Sequence, residues 1–250
     1  MKTIRIIPMM ALLAIFACSA NSSQKPTGET TTEGTASSAE VADNINTPTD
    51  VRCFGLLGDV KEVRLSIREY TGDGEDDFWE SKDSLQLAFD ESGRIVRDNY
   101  ENIYQYDAQG NFVKGLTEKS KMTRDEKGRV VEYMNWMDEE DDQGFTITFA
   151  YDAQNRMSKV NIGGWESTID QIFTYTDDHV YPDRENCESE DEGDHYSTVI
   201  TYTYKKFDEK GNWTEREAHS VAKHTIDDEP EGEPTVLRRI EQRKIVYYQR

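Results

Sequence analysis

Short runs along this chain alternate in character with a period of two. Val63, Leu65 and Ile67 share one face, and so do Leu85, Leu87 and Phe89. Phe145, Ile147, Phe149 and Tyr151 form a third such row, and Ile200, Tyr202 and Tyr204 a fourth, with Thr between them. Residues two apart on a strand point the same way, so each run predicts a half-buried antiparallel strand. No stretch carries the three- and four-residue spacing of an amphipathic helix.

Between these runs one hexamer recurs, of the form aromatic-Asp-x-x-Gly-Arg/Asn. It occurs as Phe89-Asp90-Glu91-Ser92-Gly93-Arg94, Tyr106-Asp107-Ala108-Gln109-Gly110-Asn111 and Phe207-Asp208-Glu209-Lys210-Gly211-Asn212. Asp125 and Gly128 belong to a copy with Arg124 in place of the aromatic, and Asp152 to one with Asn155 in place of Gly. A degenerate copy is expected near Tyr175-Thr176-Asp177-Asp178. The Asp side chain can accept bonds from backbone amides two or more residues on, and Gly or Asn tolerates positive φ. A type I turn followed by a left-handed residue closes a hairpin, so each hexamer reads as a hairpin turn whose aromatic ends the incoming strand on its buried face. The expected fold class is all-β: an antiparallel meander of roughly ten to twelve strands, a number set by the hairpin count. A sheet this wide would curl open or partly close into a barrel to hide one face; a two-sheet sandwich is the alternative.

The first residues read differently. Lys2 and Arg5 precede an apolar run from Ile6 to Ala17, broken only by Pro8 and too short to span a bilayer as a stable helix. The ending Ile15-Phe16-Ala17-Cys18 resembles the lipobox of bacterial lipoproteins. That resemblance implies a signal peptide over residues 1–17 and acylation of Cys18 with chains such as palmitate. Ser19 in place of Asp implies the outer membrane, and the lack of an acidic cluster in residues 19–25 favours the periplasmic face over the cell surface. Residues 19–50, rich in Ser, Thr, Gly, Ala and Glu, read as a disordered tether reaching roughly 30 Å. The folded domain is expected over residues 51–250.

The hexamers resemble the YD repeats of RHS-type proteins. The fuller match is to small YD-repeat-like lipoproteins of Bacteroidetes-type bacteria, through the acylated Cys18, the polar tether and the opening Leu56-Leu57-Gly58-Asp59-Val60-Lys61-Glu62-Val63. The resemblance covers most of residues 54–216. It implies a β-meander and is silent on activity.

The formal net charge is −21, from 29 Lys+Arg against 50 Asp+Glu. Without the basic leader and the acidic tether, the domain keeps about −19. Such an acidic surface excludes a nucleic-acid partner, which would need clustered Lys and Arg, and argues against docking on anionic lipid, so the membrane is met only through the lipid anchor. Much of the charge sits in three runs, residues 73–77, 138–142 and 188–194. None satisfies the EF-hand pattern: Gly193 is sixth when counted from Glu188, but Val199 is twelfth. These runs read as solvated loops. His179, His195, His219 and His224 lack metal-site spacing, and there is no nucleophile elbow and no phosphate loop. No catalytic residue, metal or cofactor is predicted. After acylation of Cys18, Cys53 and Cys187 remain, and in an oxidising compartment the two could form a disulfide. Trp79, Trp136, Trp165 and Trp213 could stack on sugars or cover a sheet face. The sequence therefore favours a non-enzymatic envelope lipoprotein offering a β surface to a protein or glycan partner. The alternative is a hydrolase, or a small-molecule or lipid carrier, using a cavity in a curved sheet.

Overall fold

The computed structural model describes residues 50–70, 78–98, 103–136, 144–164, 167–191, 194–227 and 229–249. Cys18 with the leader, the tether through residue 49, the first two acidic runs and Trp165 lie outside the described residues.

One short helix, α1 (Asp50–Cys53), opens the domain. The strands β1 (Val60–Tyr70), β2 (Phe78–Phe89) and β3 (Ile95–Arg97) follow, then a small hairpin of β4 (Gln105–Tyr106) and β5 (Phe112–Lys114). Next come β6 (Lys121–Arg124), β7 (Val130–Trp136), β8 (Gly144–Tyr151), β9 (Met157–Gly163) and β10 (Ser167–Thr174). The chain ends with β11 (Arg184–Asp191), β12 (Asp194–Phe207), β13 (Trp213–Ile226), β14 (Glu229–Pro230) and β15 (Thr235–Tyr247).

Thirteen strands form one antiparallel sheet, ordered β3-β2-β1-β15-β13-β12-β11-β10-β9-β8-β7-β6, with β14 attached to β13. This is the expected meander, realised as a curled open sheet rather than a sandwich. It differs from a simple meander at one place. The last strand, β15, lies between β1 and β13, so the two ends of the domain are zipped together. The break in the sheet falls instead between β3 and β6, where the chain itself is continuous.

All five hexamers form the same turn. In the first, Asp90 N donates to Arg94 O at 2.9 Å and Gly93 N to Asp90 O at 2.9 Å. Asp90 Oδ1 accepts from Ser92 N and Arg94 N. The same pattern holds at Asp107, Asp125, Asp152 and Asp208. Gly93, Gly110, Gly128, Gly211 and Asn155 all sit at positive φ, from 62° to 84°. Each turn also shifts the strand register where the incoming strand ends, at Phe89, Tyr106, Arg124, Tyr151 and Phe207. A bulge of this kind bends its strand and raises the local twist, so the hexamers curl the sheet as well as connect it.

The inner face carries the core. Val63, Leu65, Leu87, Phe89, Ile147, Val160, Ile162 and Trp213 are all buried in one cluster. Tyr133 in β7 meets Phe145 at 6.1 Å and the rings of Tyr104 and Phe112 at 6.2 Å each. Residues from both ends of the sheet thus share one core, which is what curling accomplishes.

The open seam is held by side chains. Asp50, placed by sequence at the end of the tether, is only 3% exposed. Its Oδ2 accepts from Ile95 N in β3 at 2.9 Å, while Arg124 in β6 donates to Oδ1 at 2.7 Å and to Oδ2 at 3.1 Å. One carboxylate therefore joins both edge strands. Arg124 is the residue that departs from the aromatic in the hexamer pattern, and this clasp is what it does there.

Candidate functional site

A cavity lies on the inner face, roofed by residues 53–56 after α1 and by the 180–182 segment. Gly55 adopts φ 63° there, and an added Cβ would press on Val180 O at 3.1 Å, so the two roof segments are in close contact. The walls are Val63 from β1, Leu85 and Leu87 from β2, Met157 from β9, Phe173 from β10 and Trp213 from β13. The space inside open to water-sized groups is about 60 Å³.

Along one side of this apolar space runs a strip of buried charge from neighbouring strands. Arg216 in β13 stands opposite Glu241 in β15, and their side chains meet at 2.7 Å, 2% and 1% exposed. The Arg216 guanidinium also lies 3.8 Å from the centre of the Tyr202 ring and 4.3 Å from that of Trp213. Farther along β15, Arg239 pairs with Glu69 of β1 at 2.6 Å. Burial of this kind needs such pairing, because an isolated ion in an apolar interior costs several kcal/mol, roughly.

Two charged side chains in the strip are held differently. Glu185 in β11 accepts from Tyr202 Oη at 2.9 Å and from Gln171 Nε2 at 2.9 Å. Burial raises its pKa to about 7, against the pull of those hydrogen bonds and of Arg216. Arg243 in β15 stacks on Trp213 at 3.7 Å, but its buried Nε and Nη1 have no hydrogen-bond partner among the described residues. Burial and the nearby Arg216 charge lower its pKa to about 9.

No protein-family model matches this chain, and no curated protein is similar to it in sequence. Any function must therefore be argued from the geometry.

The predicted turn residues lie at the strand ends and do not line the cavity; of the sequence candidates, Cys53 and Trp213 do. Cys53 Sγ lies 3.3 Å from Tyr151 Oη, and burial pushes its thiol up to about 12. Cys187 is buried in β11, opposite Gln171 and Thr198, and both cysteines are thiols in this structure. Trp213 is 1% exposed, so it covers the sheet and offers no face to a sugar.

The described part of the third acidic run is strand rather than loop, while Glu192 and Gly193 lie outside the described residues. Glu188 to Asp191 belong to β11 and Asp194 opens β12, because Glu188 accepts from Ser197 Oγ at 2.8 Å and faces His195 at 3.1 Å across the hairpin. Nor is the hexamer's aromatic always inward: Phe89 is buried, but Phe207 is 37% exposed. The partner of each aromatic was missed by the sequence. Arg94 stacks on Tyr106, Arg129 on Tyr151 and Arg156 on Tyr175, at 4.7, 4.4 and 4.2 Å. Each Tyr hydroxyl then donates to the carbonyl just after that Arg: Ile95 O, Val130 O and Met157 O. The last residue of one turn thus seats the aromatic of the next, and Tyr175 shows the degenerate copy joining the series.

Proposed function

We propose that this protein is an envelope lipoprotein, acylated at Cys18 and held at the periplasmic face of the outer membrane, whose curled sheet binds a small, largely apolar molecule without transforming it. The observation that carries this reading is the inner-face cavity with apolar walls and buried polar groups along one side, the usual make-up of a small-molecule site. Binding is favoured over catalysis because the acids and the thiol that could do chemistry are held by neighbours or kept in unreactive forms. Glu241 is paired with Arg216, Glu185 is held by Tyr202 and Gln171, and the Cys53 thiol is pushed away from its reactive thiolate form.

Native mass spectrometry of the full chain extracted from envelopes tests this reading. The expected mass is that of the chain from Cys18 plus acyl groups plus one small molecule, released on denaturation. A Met157→Trp variant, whose side chain fills the cavity, should carry the acyl groups but not the small molecule. A wild-type mass accounted for by chain and acyl groups alone would contradict ligand carriage, and an unprocessed leader would contradict the anchor.

A second reading, a surface for a protein partner, has its own support on the outer face. Val199, Val221 and Val236 stand in register across β12, β13 and β15, and Val221 and Val236 are 40% and 57% exposed.

A further inference from the structure

We propose that the cavity is an anion receptor, and that its ligand is a short apolar monocarboxylate held by Arg243. The inference rests on the small-molecule reading above and deepens it by naming the ligand's chemistry.

Three observations point to it together. First, Arg243 lines the cavity, and its buried Nε and Nη1 have no hydrogen-bond partner among the described residues. A guanidinium offers a planar fork of donors suited to two carboxylate oxygens, and leaving such donors buried and unused is costly. Second, the neighbouring acids already have cationic partners, although Glu241 Oε1 is itself buried with no hydrogen-bond partner among the described residues. Glu241 meets Arg216 and Glu69 meets Arg239, so Arg243 is left without an ion pair among the described residues. Glu185, the other acid on the cavity wall, has its pKa raised by burial, which lessens its opposition to a second carboxylate near neutral pH. Third, much of the rest of the lining is hydrocarbon and sulfur: Val63, Leu87, Met157 and Phe173. A carboxylate at Arg243 would therefore direct its tail into apolar contacts.

The volume fixes the size. The space open to water-sized groups, about 60 Å³, is several times the roughly 10–15 Å³ that one water needs. That suits an acid with a two- or three-carbon tail.

Calorimetric titration of the full chain with propanoate and with propanamide, its neutral isostere, tests the inference. The expected result is one propanoate per chain, with propanamide at least tenfold weaker. Arg243→Met should weaken propanoate at least tenfold and abolish most of its preference over propanamide, and Arg243→Lys should keep part of the preference. Equal binding of the two probes to the wild type would overturn the anion receptor and leave the small-molecule reading standing. So would propanoate binding that survives Arg243→Met. No binding of either probe would count against both. If Arg243→Met fails to fold, by circular dichroism, the two-probe comparison on the wild type still decides.

Discussion

Glu185 ties the protein's stability to pH in an uncommon direction. Most carboxylates in folded proteins are stabilised as anions. This one is buried, and its pKa rises from 4.5 to about 7 on folding. Between those values the unfolded chain has lost the proton that the folded chain keeps, so this group's contribution to stability is largest below about pH 4.5 and declines as pH rises through 7. Glu185→Gln removes the dependence while keeping a side chain that can bond Gln171 and Tyr202. In urea unfolding, the variant is expected to gain on the wild type from pH 4.5 to 7.5, by up to about 3 kcal/mol. A difference that stays constant over that range would show that Glu185 is not held protonated. Asp50 acts through geometry. Asp50→Asn keeps its shape but leaves Arg124 without its counter-ion, and is expected to lower stability by roughly 2–3 kcal/mol, less than for a wholly buried pair because Arg124 is partly exposed. An unchanged urea midpoint would contradict the clasp.

Among the elements, the hairpin turns were the most legible part of the chain. Asp at the second position and Gly or Asn at the fifth are local requirements, and the structure meets them at Asp90, Asp107, Asp125, Asp152 and Asp208 by one set of hydrogen bonds. Substitution separates two parts of their role. Gly128 sits at φ 77° with nothing within 4 Å of an added Cβ, so Gly128→Ala should cost only the left-handed strain, about 1 kcal/mol. At Gly110 the added Cβ would also collide with the Arg94 guanidinium that stacks on Tyr106. Gly110→Ala is therefore expected to shift the urea midpoint further than Gly128→Ala; equal shifts would mean that the Arg–Tyr seat between successive turns contributes nothing. The clasp was not legible, because Asp50 finds Ile95 and Arg124 across 45 and 74 residues. The buried strip was hidden for another reason. Glu241 and Arg243 look like outward positions of an acidic, basic strand, and only their shared parity with Ile245 and Tyr247, which pack on the core, marks them as inward.

For the whole molecule, curvature links these parts. Bulges at four turns bend one wide sheet, α1 and the separate β4–β5 hairpin fill the seam between its edges, and β15 locks the first strand to the rest. The strong acidity of the sequence belongs to the outside of this body. Inside, several buried charges are paired, as Arg216 is with Glu241 and Arg239 with Glu69, whereas Arg243 has no ion pair among the described residues. The curl leaves a space beneath Phe54 and Tyr181 that a flat sheet could not enclose. Whether that space takes up ligand is most directly tested by NMR of the full chain with carbon-13-labelled methionine methyls, titrated with xenon, an apolar atom small enough for it. The Met157 methyl signal, assigned by its loss in Met157→Leu, is expected to shift saturably while the other methionine signals move little. A Met157 signal that moves no more than the other methionine signals would contradict an accessible cavity, and with it the ligand-binding account.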